Sequence, residues 1–294
     1  MGFYLPAFRG RHTNALQSIT LHNVESYLYR QIGAAGASPF RKLQHWLRSQ
    51  SLARYEGEVI RAADLVFAYS PIDRERYREM YPAGNWRMTR NGTDARHIPA
   101  CAPGPRNTLL LVGTLSYAPN VRGLWWFLDK VWPRLCDEYS LTVAGSGANQ
   151  KVRRRLNESR VRFIDAPRDL TPLYRDNAIC LVPLLEASGT RGRIVEACAH
   201  GRLVITTKLG LEGLDLAPGA EGVIVADDPE SYANAIKYWS AADDDLHQIA
   251  ARGRAAVLSR YDWSVVATEL VSNWTSPSLA TSPSARRDSL ARCA

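Results

Sequence analysis

The sequence of 294 residues has few cysteines and no long apolar segment. Its five cysteines are an odd number, and none are spaced closely enough for a metal motif. No run reaches the ~18 apolar residues that a membrane-spanning helix needs, and the N-terminus lacks the apolar stretch of a secretory signal. We therefore expect a protein of the reducing cytoplasm, in which Cys180 and Cys198 are small core residues.

Internal repeats and nucleic-acid-binding motifs are absent as well. No segment recurs at a fixed period, and neither an RNA-binding aromatic signature nor zinc-finger spacing occurs. Nucleic acid is therefore not among the expected partners, although the formal net charge is +8. A basic balance of this size fits phosphate-rich ligands or an anionic membrane surface. Hydrophobic residues make up 46% of the chain, as expected for a globular protein.

From residue 108 onwards, short apolar runs alternate with amphipathic segments. This alternation predicts an α/β fold with right-handed crossovers and a parallel sheet covered by helices on both faces. Ligands of such sheets bind beyond the carboxyl ends of the strands. The turns at Gly113, Gly145, 165–169 and 186–191 all follow strands. The predicted strands span 108–112, 141–144, 161–164, 178–182, 203–206 and 222–225, and the helices span 120–136, 149–156, 170–175, 190–200, 229–239 and 243–261.

The first hundred residues carry fewer strand signals, enough only for a thin sheet. Strands are predicted at 18–22, 65–69 and 86–89, and helices at 41–63 and 71–80. We predict an incomplete N-terminal domain over 1–95, a Pro- and Gly-rich linker over 96–107, a C-terminal Rossmann-like domain over 108–274 and a disordered tail over 275–294.

The segment from Pro183 to Gly201 predicts an anion site. An apolar strand leads through a turn of small residues into a helix whose start carries Thr190, Arg191 and Arg193. Backbone N–H groups at such a turn, the helix N-terminus and a guanidinium all attract phosphate. Glu196 follows and can accept from ligand hydroxyls, so the pattern favours a nucleotide or nucleotide sugar. Ordinary turn chemistry with solvated arginines is the alternative, because strand–glycine–helix junctions occur throughout parallel α/β proteins.

Two acidic runs allow a different interpretation. Asp243-Asp-Asp245 matches the D-x-D motif of metal-dependent GT-A transferases, which should end a strand. Here the motif precedes an apolar helical pattern, so a helix N-cap with an acidic first turn fits better. The same interpretation applies to Asp227-Asp228 before Pro229.

Several motifs together resemble one enzyme family. Gly189-Thr-Arg-Gly-Arg-Ile-Val-Glu-Ala197 is similar to the pattern G-T-R-x-K-x-x-E-A of one branch of that family. Residues 108–127 resemble the first strand, glycine turn and helix of the family's C-terminal domain. Further matches are Gly210-Leu-Glu-Gly213, Tyr261-Asp-Trp263, His22-Asn-Val-Glu25 and Asn91-Gly-Thr-Asp94. On these residues the chain resembles the family 4 glycosyltransferases. The resemblance implies a GT-B fold, in which two Rossmann-like domains hold the nucleotide sugar (C-terminal domain) and the acceptor (N-terminal domain).

The resemblance also implies roles for individual residues. Glu196 resembles the second glutamate of the family's E-x7-E motif, which binds the ribose hydroxyls, and Ser188 stands where the family has the first glutamate, near the donor sugar. Arg191 is the residue we expect at the diphosphate, and Arg193 replaces a usual lysine and keeps its charge. Gly189 and Thr190 form the turn of the same donor site.

The remaining residues of the expected site lie elsewhere in the chain. Gly113 permits close backbone approach, and Thr114 stands where many relatives have a phosphate-binding arginine. Pro167 lies in the turn that seats the base, to which it can offer only a carbonyl. His22 resembles the family's cleft histidine and is our candidate catalytic residue. No cofactor or metal is expected besides the nucleotide-sugar donor.

The resemblance has one large departure. Relatives have roughly ninety more residues before the segment at His22, so we expect a fragment, a misplaced start or a shortened protein. The implied function is retaining transfer of a sugar to a saccharide or lipid-linked acceptor. Peripheral contact with an anionic membrane is a separate expectation, which rests on the basic surface. Two alternatives remain: an inactive nucleotide-sugar-binding module or partner subunit, and a GT-B sugar-nucleotide epimerase.

Overall fold

A computed structural model describes residues 16–21, 26–27, 29, 38–100, 104–186 and 191–275. They form two parallel sheets, one of three strands and one of six. The parallel sheets and flanking helices confirm the predicted α/β class. The predicted tail lies outside the described residues, apart from Thr275 at its start.

The three-stranded sheet is formed by the N-terminal part of the chain. Its strands pair in the order β1-β2-β3, and the buried β2 occupies the centre. Helix α1 precedes β2 and helix α2 follows it; Ser70 caps α2 by accepting from the N–H of Asp73. Ile60, Val66 and Tyr77 belong to a separate small core beneath this sheet. The elements are β1 (Ser18–Leu21), α1 (Pro39–Ala62), β2 (Leu65–Ala68), α2 (Pro71–Met80) and β3 (Trp86–Met88).

The six-stranded sheet has the order β6-β5-β4-β7-β8-β9. The strand order reverses at β4, because the chain runs through β5 and β6 on one side of β4 and then returns to β7 on the other side. This reversal places a topological switch point at the carboxyl end of β4. The strands are β4 (Thr108–Val112), β5 (Ser140–Gly145), β6 (Arg162–Asp165), β7 (Ile179–Val182), β8 (Leu203–Thr206) and β9 (Val223–Val225). The helices are α3 (Ala118–Trp126), α4 (Gln150–Glu158), α5 (Thr171–Arg175), α6 (Gly192–Ala199), α7 (Lys208–Leu211), α8 (Pro229–Ala241), α9 (Asp243–Arg260) and α10 (Trp263–Thr275).

The central strands of this sheet are buried on both faces. Alternate residues of β4 belong to two different hydrophobic cores. Leu109 and Leu111 pack in one core, and Leu110 packs in the other. All four residues of β7 and of β8 are buried. This burial explains why the sequence shows continuous apolar runs at these positions instead of alternation.

The predicted helix over 120–136 is not one α-helix. The α-helical part ends at Trp126, a π-helical turn spans Phe127–Val131, and a 3-10 turn spans Trp132–Arg134. Pro133 is the physical reason, because it has no N–H to donate and its ring clashes with an α-helical carbonyl four residues earlier.

Helix α10 was not predicted, and it contacts the N-terminal sheet. The side-chain amide of Asn273 donates to the carbonyl of Met88 at 3.0 Å, and Arg90 pairs with Glu269. Its first turn lies beside the segment that leaves the N-terminal sheet. There Thr93 N–H donates to the Tyr261 carbonyl at 2.8 Å, and Trp263 N–H donates back to Thr93 at 3.1 Å.

Candidate functional site

A pocket of about 370 Å³ lies beyond the carboxyl ends of β4, β5 and β6. This is the edge of the sheet at which α/β proteins bind ligands. Four of the residues predicted for the donor site line it together: Gly113, Thr114, Pro167 and Arg193. Its other lining residues are Val112, Gly145, Ser146, Ala166 and Leu170.

Two glycines allow the floor of this pocket to form. A Cβ atom on Gly145 would lie 1.8 Å from the carbonyl oxygen of Gly113, so β4 and β5 could not end side by side with a larger residue there. A Cβ atom on Gly113 would lie 2.9 Å from Nη1 of Arg193. Gly113 therefore leaves the space in which the Arg193 guanidinium lies.

Arg193 extends from the first turn of α6 to the end of β4. Its Nη1 donates to the Val112 carbonyl at 3.2 Å, and its Nη2 donates to Oδ1 of Asn120 at 2.8 Å. Burial lowers the pKa of Arg193 from its usual value, against the opposing influence of Tyr174, Tyr117 and Glu196. Two fixed hydrogen bonds thus orient a partly desolvated cation that also lines the pocket.

Asn120 is a site residue that the sequence analysis missed. It lies in the first turn of α3, where its Nδ2 donates to the Thr114 carbonyl at 2.9 Å while Oδ1 accepts from Arg193. The amide is almost fully buried. A signal was available, because Pro119 marks the first turn of a helix just after the glycine turn and so places Asn120 in that turn.

Glu196 lies one turn after Arg193 and is half-buried. Burial raises the pKa of its carboxyl, while a hydrogen bond from Tyr174 and the charge of Arg193 lower it. The buried ring of Tyr174 stacks on His200, with ring centroids 4.3 Å apart. Glu196 does not line the pocket of 370 Å³, so the predicted ribose contact requires a ligand that extends past Arg193.

His200 ends this group of side chains at the carboxyl end of α6. Burial lowers its pKa to about 4, and the nearby Arg202 and Arg254 act in the same direction. Within the described part of the chain, its Nδ1 has no hydrogen-bond partner. The stacked ring therefore stays neutral near pH 7.

Arg191 points away from the pocket, toward the N-terminal sheet. Its side chain is 7% exposed, and Nη2 donates to the Leu209 carbonyl at 3.2 Å. Burial lowers its pKa to about 10, and the opposing influence comes first from Asp73 of α2 and then from Glu212. Arg76 links these two carboxylates, at 3.6 Å from Asp73 and 2.9 Å from Glu212. Arg191 is thus a buried cation between the two sheets.

Four predicted site residues lie outside the residues that the structure describes. They are His22, Ser188, Gly189 and Thr190. Their roles as candidate catalytic residue and as turn of the donor site stay predictions, as does the role of Arg191 at a diphosphate.

The loop after β6 forms one wall of the pocket. Its shape depends on Ala166, which has a positive φ of 44° and donates its N–H to the Gly145 carbonyl at 3.1 Å. Pro167 follows and lines the pocket. The loop is therefore tied to the glycine floor by its backbone.

The acidic runs are placed at helix starts. Asp243 is the first residue of α9, and Asp228 caps α8 by accepting from the N–H groups of Glu230 and Ser231. Asp227 accepts from the N–H of Lys208 at 2.7 Å. Ala242, not an aspartate, occupies the cap position of α9, which corrects the expected N-cap while keeping the acidic first turn. In the described ranges, no three His, Cys, Asp or Glu side chains are grouped as metal ligands.

A larger pocket, of about 700 Å³, opens at the amino ends of β4 and β5. Thr108, Ser140 and Trp132 are among its lining residues. We assign the ligand site to the smaller pocket, because it lies at the carboxyl edge and contains the oriented Arg193.

Comparison with known proteins places this site in a family context. Residues 106–241 match the family model described as Glycosyl transferases group 1. An uncharacterized 44.6 kDa protein in the cps region of Klebsiella pneumoniae is 23% identical over 262 residues, covering 83% of this chain and 64% of that protein.

Solved glycosyltransferase structures share the fold. Staphylococcus aureus TarM, solved with UDP and alpha-GlcNAc-glycerol, has a TM-score of 0.73 at 13% identity and covers 94% of this chain. Anabaena HepE, solved with UDP and glucose, has a TM-score of 0.70 at 16% identity and covers 94%. Sucrose-phosphate synthase of Thermosynechococcus elongatus has a TM-score of 0.68 at 19% identity and covers 92%.

The chain is shorter than these proteins. It spans 54% of the TarM chain and 76% of the HepE and sucrose-phosphate synthase chains. The assignment to family 4 stays a prediction. The predicted resemblance is confirmed at the level of fold and family model: the chain has the fold of GT-B glycosyltransferases, and its segment 106–241 matches the group 1 glycosyl transferases.

Proposed function

We propose that the protein is a glycosyltransferase that uses a nucleotide-diphosphate sugar as donor. The observation that carries this proposal is the pocket formed by Gly113, Thr114, Pro167 and Arg193. All four residues lie within the segment that matches the group 1 glycosyl transferases. The pocket combines a glycine floor, a fixed cation and a strand-end loop, which suits a ligand with both phosphate and ring components.

The chemistry requires stabilisation of a leaving diphosphate. The bond between the anomeric carbon and the diphosphate oxygen breaks, and a bond to an acceptor hydroxyl oxygen forms. The hydroxyl proton leaves with the diphosphate, and the anomeric configuration is retained. Arg193 is held in place before the ligand arrives, so it can stabilise the developing negative charge without reorganising.

The donor is proposed to extend from the pocket along α6. Pro167 would contact the base through its carbonyl, and Glu196 would accept from the ribose hydroxyls. The hydrogen bond from Tyr174 favours the ionised form of Glu196 against the opposite effect of burial and orients its carboxylate for that task. UDP-sugars are the first donors to test, because HepE and TarM were solved with UDP.

The acceptor is proposed to be a saccharide or a lipid-linked saccharide. The Klebsiella relative lies in a cps region, which supports a role in polysaccharide biosynthesis. No described helix is both long and apolar enough to cross a membrane.

Titration of UDP and UDP-glucose into the protein, followed by calorimetry and thermal shift, tests the donor site. The proposal is supported if the wild type binds UDP and Arg193→Gln binds it at least tenfold more weakly. Such a loss equals roughly 1.4 kcal/mol or more of binding free energy, as expected for a charge-assisted hydrogen bond to phosphate. Arg154→Gln, which removes an exposed arginine of α4, is the matched control and should bind normally.

Product analysis then separates the alternatives. Transfer to a saccharide acceptor supports the enzyme. Donor binding without hydrolysis or transfer would instead indicate an inactive module, and interconversion of donor sugars without any acceptor would indicate an epimerase. Unchanged donor affinity in Arg193→Gln would contradict the proposed pocket.

A further inference from the structure

The N-terminal half of α1 exposes a group of large apolar side chains. Phe40 is 76% exposed, Leu43 54%, Trp46 54% and Leu47 55%. Phe40, Leu43 and Leu47 follow the i, i+3, i+7 spacing that places residues on one helix face, and Trp46 lies beside Leu43. Packing in the described structure does not cover this face, although four such side chains in contact with water are unfavourable.

Basic side chains surround this apolar group. Arg41, Lys42, Arg48 and Arg54 are all exposed, and the sequence from Pro39 to Tyr55 contains no aspartate or glutamate. Arg48 lies over the ring of Tyr29, with 5.6 Å between Cζ and the ring centroid. The first half of the helix therefore combines an apolar face with positive charges that no acidic residue of that half neutralises.

This combination distinguishes α1 from other exposed apolar positions. Helix α10 also exposes Trp263, Val271 and Trp274, but its one charged residue is the acidic Glu269. Tyr238 of α8 is exposed beside a single lysine, Lys237. A protein partner could cover any of these three surfaces, whereas among the three the α1 face alone complements a surface that is both apolar and anionic.

We propose that the N-terminal half of α1, with Phe40, Leu43, Trp46 and Leu47 inserted and Arg41, Lys42 and Arg48 at the headgroups, docks the protein on an anionic lipid bilayer. An amphipathic helix of this composition lies in the plane of the interface, with its apolar face at the acyl boundary. Tryptophan suits the headgroup level, and long basic side chains reach outward from it to lipid phosphates. The helix belongs to the N-terminal sheet, so docking would hold that part of the molecule at the membrane.

The proposal goes beyond glycosyl transfer, and only its link to a lipid-linked acceptor rests on the proposed function. Vesicle binding is measured without nucleotide. A protein that binds UDP but not vesicles would contradict docking alone, whereas one that binds vesicles but not UDP would contradict the donor site alone.

Co-sedimentation of the full chain with phosphatidylcholine vesicles, with and without 30 mol% phosphatidylglycerol, tests the proposal. We expect binding to the anionic vesicles only, and weaker binding as salt rises, because added ions screen the headgroup charge. Trp46→Ser with Leu47→Ser should weaken binding at least tenfold by removing inserted surface. Arg41→Gln with Lys42→Gln and Arg48→Gln should weaken it at least tenfold by removing three charges.

Two matched controls separate docking from general loss of charge or apolar surface. Tyr238→Ser with Val271→Ser removes two similarly exposed apolar side chains, and Lys151→Gln with Arg154→Gln and Arg162→Gln removes three exposed charges. Both should bind vesicles like the wild type. All four variants alter exposed positions and should keep the wild-type circular dichroism spectrum.

Two outcomes would overturn the proposal. One is that the wild type stays in the supernatant with anionic vesicles, or that the α1 variants bind them as well as the controls do. The other is that light scattering shows a wild-type dimer that the Trp46, Leu47 variant abolishes, which would identify the face as an interface between copies of the chain.

Discussion

Arg193 donates to the side-chain oxygen of Asn120 at 2.8 Å, and this bond joins the first turn of α6 to the first turn of α3. The two helices follow different strands of the sheet, β7 and β4. Asn120 also donates to the carbonyl of Thr114 in the glycine turn. One buried amide therefore couples the position of the pocket's cation to the backbone of its floor.

Replacing Asn120 with aspartate should weaken donor binding. The new carboxylate keeps an acceptor for Arg193 but neutralises its charge and can no longer donate to Thr114. We expect UDP affinity to fall about tenfold, or about 1.4 kcal/mol, by calorimetry. Asn157→Asp on the exposed surface of α4 adds the same charge and should bind UDP normally. Equal UDP affinity in the two variants would show that Arg193 does not contact the phosphate.

Tyr174→Phe should shift the pH dependence of UDP binding to higher pH. The tyrosine hydrogen bond lowers the pKa of Glu196 against the effect of burial, so its removal raises that pKa further. A ribose-binding carboxylate must be ionised to accept two hydroxyls. Binding should therefore weaken as pH falls, and the midpoint of this loss should lie higher in Tyr174→Phe than in the wild type. Calorimetry between pH 5 and 8 measures it, and an unchanged midpoint would show that Glu196 does not contact the ligand.

Asp73→Asn should destabilise the protein by leaving the buried Arg191 with less opposite charge. Loss of one partner of a buried charge pair costs on the order of 1–3 kcal/mol, which urea unfolding at pH 7 can measure. Because Asp73 also lies near Arg76, a double-mutant cycle with Arg191→Met is needed. We expect the double variant to be less destabilised than the sum of the two single variants. Additive effects would indicate that the two side chains do not interact.

The free energy of unfolding should decline as pH falls from about 6.5 to 4. The folded-state pKa of His200 is lowered to about 4, so the unfolded chain binds a proton more readily in this window. The stability that the neutral His200 contributes is fully present above the unfolded-state pKa of about 6.5 and is lost as the pH falls toward the folded-state pKa. The loss amounts to about 2–3 kcal/mol of unfolding free energy. His200→Phe keeps a ring to stack on Tyr174 without titrating. Its stability should vary less over this range than that of the wild type in urea unfolding at each pH.

Gly145→Ala should lower stability by about 1–3 kcal/mol, because the added methyl meets the Gly113 carbonyl and forces the strand ends apart. The nearest atom to a Cβ on Gly192 is 3.7 Å away, so Gly192→Ala is the matched control and should fold as well as the wild type. Thermal unfolding of both variants measures the difference. A Gly145→Ala protein as stable as the control would contradict the close approach of β4 and β5.

The sequence predicted most of the strands and the part of the site carried by local motifs. Runs such as Leu203–Thr206 are recognisable because both of their faces are buried, and the glycine turn and Arg193 stand beside such runs. Helix α3 was predicted too long, since its apolar periodicity continues past the point where Pro133 ends regular hydrogen bonding. In that case a local backbone constraint outweighed the pattern of side chains.

The partners of individual site residues were harder to predict. Asp73 of α2 lies near Arg191, the residue before α6, through tertiary structure that also pairs Arg76 of α2 with Glu212, and no spacing in the sequence records that proximity. Helix α10 was missed for a related reason. Its bonds to Met88 and Arg90 are made with a distant part of the chain, so the helix depends on tertiary contacts more than on a local signal.

The bonds between Thr93, Tyr261 and Trp263 restrict how the two sheets can move. The chain passes from one sheet to the other twice, and both passages lie side by side here. A hinge rotation of one sheet relative to the other about this point changes the backbone of only a few residues, whereas a shear motion would break these backbone hydrogen bonds. Opening and closing would therefore be a rotation about one hinge, in which α10 moves together with β1, β2 and β3.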